Sequence, residues 1–430
     1  MASGPRTLAR HAAATVATAL ADTRAVALVG PRQAGKSTLV RSIVEKSKGA
    51  AYLTLDDDGT RALALADPAG FVRGRAGLLA IDEVQRVPGL LLGIKSVVDA
   101  DPRPGRFLLT GSAHLFAVKD VADSLAGRME IVELWPFSQG EIEGRREHFV
   151  DLLFAGRALP NHRSSLSKRD YLERVCRGGF PEVIGRRADR RRAWFRSYVQ
   201  AVVAREIPGV ADVERLAELP RLVRLCAARQ GAPLNVAALS RDAGLPERTT
   251  HRYLDALEAV FLIRRIPPWA GSLTAREVRA PKLYVTDSGL AANLRGASPE
   301  SLSVPQTAQG ADGPLLEGFV IGELQRQAAW SEAQPRVHHY RDRNGLEVDA
   351  VLESDEGSVV GIEVKAAGAV TADDATGLRF LRDKLGQRFR SGAILHSGQQ
   401  AVSLGDRISA LPMDALWTTV IGSLRAGRRV

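Results

Sequence analysis

Two clusters of side chains in this chain have the types and spacing to do phosphate chemistry. The first is Gly30-Pro31-Arg32-Gln33-Ala34-Gly35-Lys36-Ser37 followed by Thr38, which has the G-x-x-x-x-G-K-[ST] spacing of a phosphate-binding loop. Gly30 and Gly35 let backbone N–H groups curl around phosphate oxygens, and the start of the helix adds partial positive charge. Lys36 reaches the β- and γ-phosphates and Ser37 can hold Mg²⁺. Further on, apolar Leu78-Leu79-Ala80-Ile81 delivers Asp82-Glu83. In a phosphoryl-transfer site such a strand brings Asp82 to the Mg²⁺ shell and Glu83 to the attacking water. The ligands implied are ATP and Mg²⁺, with hydrolysis as the outcome.

The elements that position these groups are legible from pattern. Residues 25–29 are a short β-branched apolar run before the loop, and residues 37–45 after it read as a helix with Leu39, Val40, Ile43 and Val44 on one side. Strand patterns recur at 51–55, 78–81 and 106–112, with a helix and loop at 60–71 and a leading helix at 8–20. Strand and helix alternating at this spacing predict a parallel α/β sheet over residues 1–140. The strand at 106–112 ends in small polar residues, so Thr110 or Ser112 is expected near the γ-phosphate. Arg128 follows in Ser124-Leu125-Ala126-Gly127-Arg128, either as a surface arginine or as a transition-state stabiliser in its own or a neighbouring subunit, the latter requiring a homo-oligomer.

Residues 141–205 are charged and helical in pattern, a lid or connector broken at Gly178-Gly179 and Pro181. Within it Arg186 to Arg192 precede Trp194, Phe195 and Tyr198. That mixture suits either a solvated helix face with inward aromatics or a grip on a phosphate backbone. Residues 206–305 contain a helix-turn-helix pattern, Asn235 to Ala243, a turn at Gly244-Leu245, and a second helix from Pro246 to Val260. Two strands, at 261–266 and 282–285, complete a winged helix. If that domain reads DNA, Arg248, Thr249, Thr250, His251 and Arg252 face the major groove, with Arg276 or Arg279 on the wing. The alternative is that it packs on the first domain or on a neighbouring subunit.

The second chemical cluster lies in residues 306–430, beyond a linker at 298–313 rich in Ser, Gly, Gln, Pro and Ala. Glu317 stands on a helix at 315–330, Asp349 in the strand Glu347-Val348-Asp349-Ala350-Val351-Leu352, and Glu363 and Lys365 at the end of the next strand. Alternation puts Glu363 and Lys365 on one face with Asp349 beside them across the hairpin. This set resembles the PD-(D/E)XK nuclease core, although Val348 stands where the naming proline would be. On that likeness Glu317, Asp349 and Glu363 are metal ligands, and Lys365 stabilises the nucleophile or the phosphorane. Such folds also serve as binding modules without cleavage. His338-His339 beside Tyr340 lacks ligand spacing and is expected on a strand surface.

Composition sets the frame. A chain of 430 residues with 45% hydrophobic content has room for several globular domains, and a net charge of +10 suits an acidic partner, nucleic acid first. An arginine-rich chain from a GC-rich genome has the same sign of charge. Cys176 and Cys226 have no metal-ligand pattern and read as buried thiols of a reducing compartment. No apolar run approaches a membrane span and no signal-peptide pattern opens the chain. A cytoplasmic protein without a membrane partner is expected.

Gly30 to Ser37, Leu79 to Gln85, Leu109-Thr110-Gly111-Ser112, Ser124 to Arg128 and Gly178-Gly179-Phe180-Pro181-Glu182 together resemble the prokaryotic AAA-like ATPases that carry a C-terminal domain of unknown function. The resemblance covers nearly the whole chain. It implies a P-loop (RecA/AAA-like) ATPase domain with a catalytic glutamate, and no particular substrate. Coupling of ATP turnover to DNA binding or processing is the expected function. The rival is a nucleotide switch whose last domain recruits a protein.

Overall fold

The computed structural model describes residues 8–74, 77–111, 125, 127–157, 159, 161–211, 215–271, 276, 279–304 and 312–419. Five strands, β1 (Ala25–Val29), β2 (Ala51–Thr54), β3 (Leu79–Asp82), β4 (Phe107–Gly111) and β5 (Met129–Glu133), form one wholly parallel sheet in the order β2-β3-β4-β1-β5. The order follows from hydropathy. β1, β3 and β4 are apolar runs buried along their whole length and take the centre, whereas half-buried β2 and partly exposed β5 take the edges. Alternate residues serve opposite faces. Leu79, Ile81, Phe107 and Leu109 pack with Leu91 and Ile94 on one side, and Val26, Leu28, Ala80 and Leu108 pack with Val16, Leu39 and Val40 on the other.

Most of the apolar interior of the remaining described chain belongs to a second core, and a separate cluster around Trp269, Tyr340, Leu378 and Phe389 lies on the C-terminal sheet. Phe149, Tyr171, Phe195, Leu222, Tyr253, Leu283, Phe319, Leu352 and Trp417 belong to one continuous apolar cluster. The connector, helix-turn-helix and C-terminal segments, read from sequence as three domains, all contribute to that second core. Helices such as Lys168–Arg177, Leu219–Ala228, Val236–Ala243 and Ser288–Leu294 are short, and they gain their stability by burying apolar faces against one another in this shared interior. Trp194, Phe195 and Tyr198 of helix Ala188–Arg205 turn inward onto Phe180, with Trp194 stacked on Tyr198 at 5.0 Å.

Helices Val236–Ala243 and Glu247–Ala259 precede the antiparallel hairpin of β6 (Ile263–Ile266) and β7 (Lys282–Val285). The C-terminal sheet contains β8 (Arg336–Arg341), β9 (Glu347–Glu353), β10 (Val359–Lys365), β11 (Phe389–His396), β12 (Val402–Ser403) and β13 (Ile408–Pro412), in the order β12-β13-β11-β10-β9-β8. Helix Asp312–Ala328 is buried on most of its surface and packs on this sheet. In place of the expected continuous linker, Ser298 caps a short helix, Pro299–Ser303. A buried polar joint ties the two bodies: Glu323 accepts from the Gln139 N–H at 2.9 Å and Arg326 donates to the Pro136 carbonyl at 2.8 Å.

Both cysteines are free, and burial pushes both thiols up to about 12. Among the described residues no helix is long and apolar enough to cross a membrane. His338 and His339 differ from expectation, since both are buried, 5% and 2% exposed. Their strand is covered on both sides because the β6–β7 connection lies against it, with the Trp269 N–H bonded to the His339 carbonyl.

Burial pulls both imidazoles down from 6.5 to about 4. The unfolded chain takes up these protons near pH 6.5 and the folded chain waits until about pH 4. Stability held above pH 6.5 is therefore lost as pH falls through that window, by up to about 3.5 kcal/mol per histidine at ~1.4 kcal/mol per pKa unit. His338 has no hydrogen-bond partner on either ring nitrogen. His338→Leu is expected to flatten this slope in urea unfolding between pH 7 and 4, and an unchanged slope would remove His338 as its source.

Candidate nucleotide site and C-terminal carboxylate cluster

The loop after β1 is shaped by contacts that few residues tolerate. Gly30 has φ 149°, and a Cβ there would lie 2.1 Å from the Leu134 carbonyl oxygen. Gly35 then caps helix Lys36–Lys46 in a left-handed conformation. Lys36 is buried and its ammonium donates to the Gly30 and Pro31 carbonyls at 2.8 and 3.0 Å, inside the curl of the loop. Burial pulls its pKa down, while Glu83, Asp82 and Glu206 oppose the loss of charge. Ala34 is buried, and Arg32, Gln33 and Thr38 are exposed.

The strand ends bring the acids to the loop. Ser37 Oγ donates to Asp82 Oδ1 at 3.0 Å and Tyr52 OH donates to Asp82 Oδ2 at 2.7 Å. The Thr110 hydroxyl also donates to Asp82 and accepts from the Glu83 N–H at 3.0 Å. A hydroxyl and a carboxylate, both hard oxygen donors, fit the one or two protein ligands Mg²⁺ takes beside phosphate and water. Thr110, one of the two sensor candidates, thus contacts both acids; Ser112 lies outside the described residues.

Glu83 sits at φ 59°, a left-handed conformation that costs a side-chain-bearing residue about 1–3 kcal/mol and clusters at functional sites. The Gln85 amide donates to its carboxylate. Burial pushes the Glu83 carboxyl up and Lys36 pulls it down.

A small cavity of about 30 Å³ is lined by Arg32, Lys36, Glu83, Gln85, Glu206 and Phe261, among others. Arg32 pairs with Glu206 just beyond helix Ala188–Arg205, and Tyr198 OH donates to the Arg32 carbonyl at 3.3 Å. The second body therefore forms one wall of the loop. Sequence reasoning missed Tyr52, Glu206 and Phe261, because nothing in their local pattern marks a partner so distant along the chain; Gln85 lay inside a motif that was read, but its bond to Glu83 two residues away was not.

Arg128 requires a correction for its own subunit. It immediately precedes β5, and its carbonyl accepts from the Ala25 N–H at the start of β1. That is the end of the sheet opposite the P-loop, where its guanidinium bonds Asp99. Within one chain it cannot reach the phosphates.

In the helix-turn-helix pair, Arg248, His251 and Arg252 are exposed. Thr250, expected to face a groove, is instead fully buried and bonded to Ser240 and to the Pro246 carbonyl. Arg276, expected on a free wing, is pinned to Glu353 at 2.7 Å; Arg279 is exposed.

The C-terminal residues do assemble. The β9–β10 register pairs Ala350 with Ile362, and Asp349 Oδ2 accepts from the Val364 N–H at 2.9 Å. Glu363 pairs with Lys365 at 3.0 Å, and Lys365 also approaches Asp374 at 3.5 Å. The carboxylates expected as metal ligands, Glu317, Asp349 and Glu363, are each paired with an ammonium group. Lys282 of β7 enters between the carboxylates, 2.8 Å from Glu317, 2.6 Å from Glu347 and 3.4 Å from Asp349. Among the described residues no group of three or more His, Cys, Asp or Glu is arranged to hold a metal ion.

Tyr284 OH also donates to Glu317 at 2.6 Å. Burial, reinforced by Asp349, raises Glu317 to about 7 and Glu363 to about 8. Alternation along Lys282-Leu283-Tyr284-Val285 was the available signal: it puts a lysine and a tyrosine on one face of a strand that had to find polar partners.

Comparison with known proteins places these findings. An AAA domain model matches residues 22–143, and domains of unknown function match residues 168–301 (DUF8612) and 312–416 (DUF4143). The P-loop sheet falls inside the first match, and helices previously divided between connector and winged helix fall inside the second. A Walker-type ATPase of Pyrococcus abyssi aligns with TM-score 0.40 and 15% identity over 66% of this chain and 94% of that one. Uncharacterised proteins of Mycobacterium tuberculosis and Mycobacterium bovis are each 31% identical over 413 residues, 95% of this chain and 85% of theirs. The chain belongs to the same family as these mycobacterial proteins, and it is an AAA-like P-loop ATPase with a C-terminal domain of unknown function.

Proposed function

We propose that this chain is a Mg²⁺-dependent ATP hydrolase that couples nucleotide turnover to work on DNA. The observation that carries the hydrolysis reading is the 3.0 Å contact of Ser37 with Asp82 at the start of the P-loop helix, with Glu83 next in sequence. In this reading Lys36 neutralises β- and γ-phosphate charge, Ser37 and Asp82 hold Mg²⁺, and Glu83 accepts the proton of the attacking water. Mg²⁺, when bound, supplies charge neutralisation on the phosphate oxygens. Residues of the loop from Gly30 to Thr38 cradle the nucleotide.

Coupling is supported by the cavity wall: Glu206 and Phe261 belong to the body that carries the helix-turn-helix, so a ligand against Arg32 and Lys36 meets that body directly. The DNA reading treats helices Val236–Ala243 and Glu247–Ala259 with the β6–β7 hairpin as a winged helix, and rests on the exposure of Arg248, His251 and Arg252. The C-terminal sheet is read as a nuclease-like fold that binds without cutting. The second reading, a nucleotide switch that recruits a protein, is favoured by the same burial of its carboxylates around Lys282.

Steady-state ATP hydrolysis with and without duplex DNA, single-stranded DNA and RNA separates the two, with Glu83→Gln as the blank. Several-fold stimulation by duplex DNA is expected, falling steeply with added salt and weakened in Arg248→Ala/Arg252→Ala. A rate indifferent to all three polymers at low salt favours the protein-recruiting switch.

A further inference from the structure

Lys282 is the least expected member of the C-terminal cluster. Its side chain is 1% exposed, and it comes from the hairpin of the middle segment, not from the C-terminal sheet. Three carboxylates from two elements converge on its ammonium: Glu317 from helix Asp312–Ala328, and Glu347 and Asp349 from β9. These oxygens are the ones a hard divalent cation would require at about 2.0–2.6 Å. A compact ammonium is a point charge of the right sign to replace such an ion, and a second cation beside it would meet strong repulsion in a buried setting. Burial opposes its charge, yet Glu317, Asp349 and Glu347 outweigh burial and raise its pKa.

We propose that Lys282 is the resident cation of the C-terminal carboxylate site, standing where a divalent ion would sit and excluding it. With the hairpin docked, the site cannot assemble the metal-bound water that phosphodiester cleavage needs. Glu317, Glu347 and Asp349 then act as a socket that fastens β7 to the C-terminal sheet. The same hairpin begins two residues after Phe261, which lines the P-loop cavity, so the socket and the nucleotide site share one element.

Mn²⁺ binding followed by electron paramagnetic resonance tests it, using the full chain with Asp82→Asn throughout to silence the P-loop acid. With Lys282 present, no Mn²⁺ binding that depends on Asp349 is expected. Lys282→Met is expected to gain about one Mn²⁺ per chain, lost again on adding Asp349→Asn, whereas Lys282→Arg binds none. Asp349-dependent Mn²⁺ binding in the chain that retains Lys282 overturns the proposal, as does a folded Lys282→Met chain that binds none. If Lys282→Met does not fold, the chain retaining Lys282 decides alone: absence of Asp349-dependent binding supports the plug, and its presence overturns it.

Discussion

Glu83→Gln is expected to lower steady-state ATP turnover by about 10²–10⁴-fold, the range of a positioned general base, while leaving nucleotide binding intact. The replacement has nearly the same shape but cannot accept the proton of water at neutral pH. Its neighbours retain their contacts: the Glu83 N–H still donates to Thr110, and Lys36 stays within the loop. The environment suits a base, because burial raises the Glu83 carboxyl and Lys36 keeps it from rising further. A carboxylate with a raised pKa accepts a proton more readily. Turnover by coupled assay and binding by a fluorescent ATP analogue together check this; wild-type turnover in the variant would take the base role away from Glu83.

Asp287→Ala is expected to destabilise the chain by about 2–6 kcal/mol, from two buried N–H groups each losing a partner at about 1–3 kcal/mol. Asp287 is fully buried and accepts from the Gly179 N–H at 2.7 Å and the Leu290 N–H at 2.9 Å, the second as cap of helix Ser288–Leu294. The first bond holds the turn at which Gly179 passes so near Phe137 that a Cβ would lie 2.2 Å from its carbonyl oxygen. The Phe137 N–H donates to the Gly179 carbonyl there. One carboxylate therefore secures the crossing of the P-loop body with the helices after it. Asp287→Asn keeps an acceptor oxygen and is expected to cost less. Urea unfolding decides: an alanine variant within 1 kcal/mol of the parent would mean that the turn finds other partners.

The Gly178-Gly179-Phe180-Pro181-Glu182 stretch illustrates how far the sequence could be read. Its glycines and proline marked a break, but their reason, the approach of Phe137 and Asp287, involves residues far along the chain. Likewise Asp82 was legible at the end of a short apolar strand, and Ser37 in the loop spacing. Tyr52, which completes the hydrogen bonding of Asp82, carried no local mark.

The features legible along the chain are local and periodic: the phosphate loop between strand and helix, the acids after a buried strand, the helix-turn-helix spacing and the alternation that sets Asp349 beside β10. These follow from backbone geometry and from side chains a few residues apart. Packing between distant elements puts Arg128 at the far end of its sheet, buries Thr250 and the two histidines, and sets Glu206 and Phe261 as a wall of the P-loop. It also decided that Lys282 fills the carboxylate cluster. The physical reason is burial of charge: a lysine entering a low-dielectric interior must find carboxylates, and carboxylates crowded there must find a cation, but which pair meets depends on how separate elements pack.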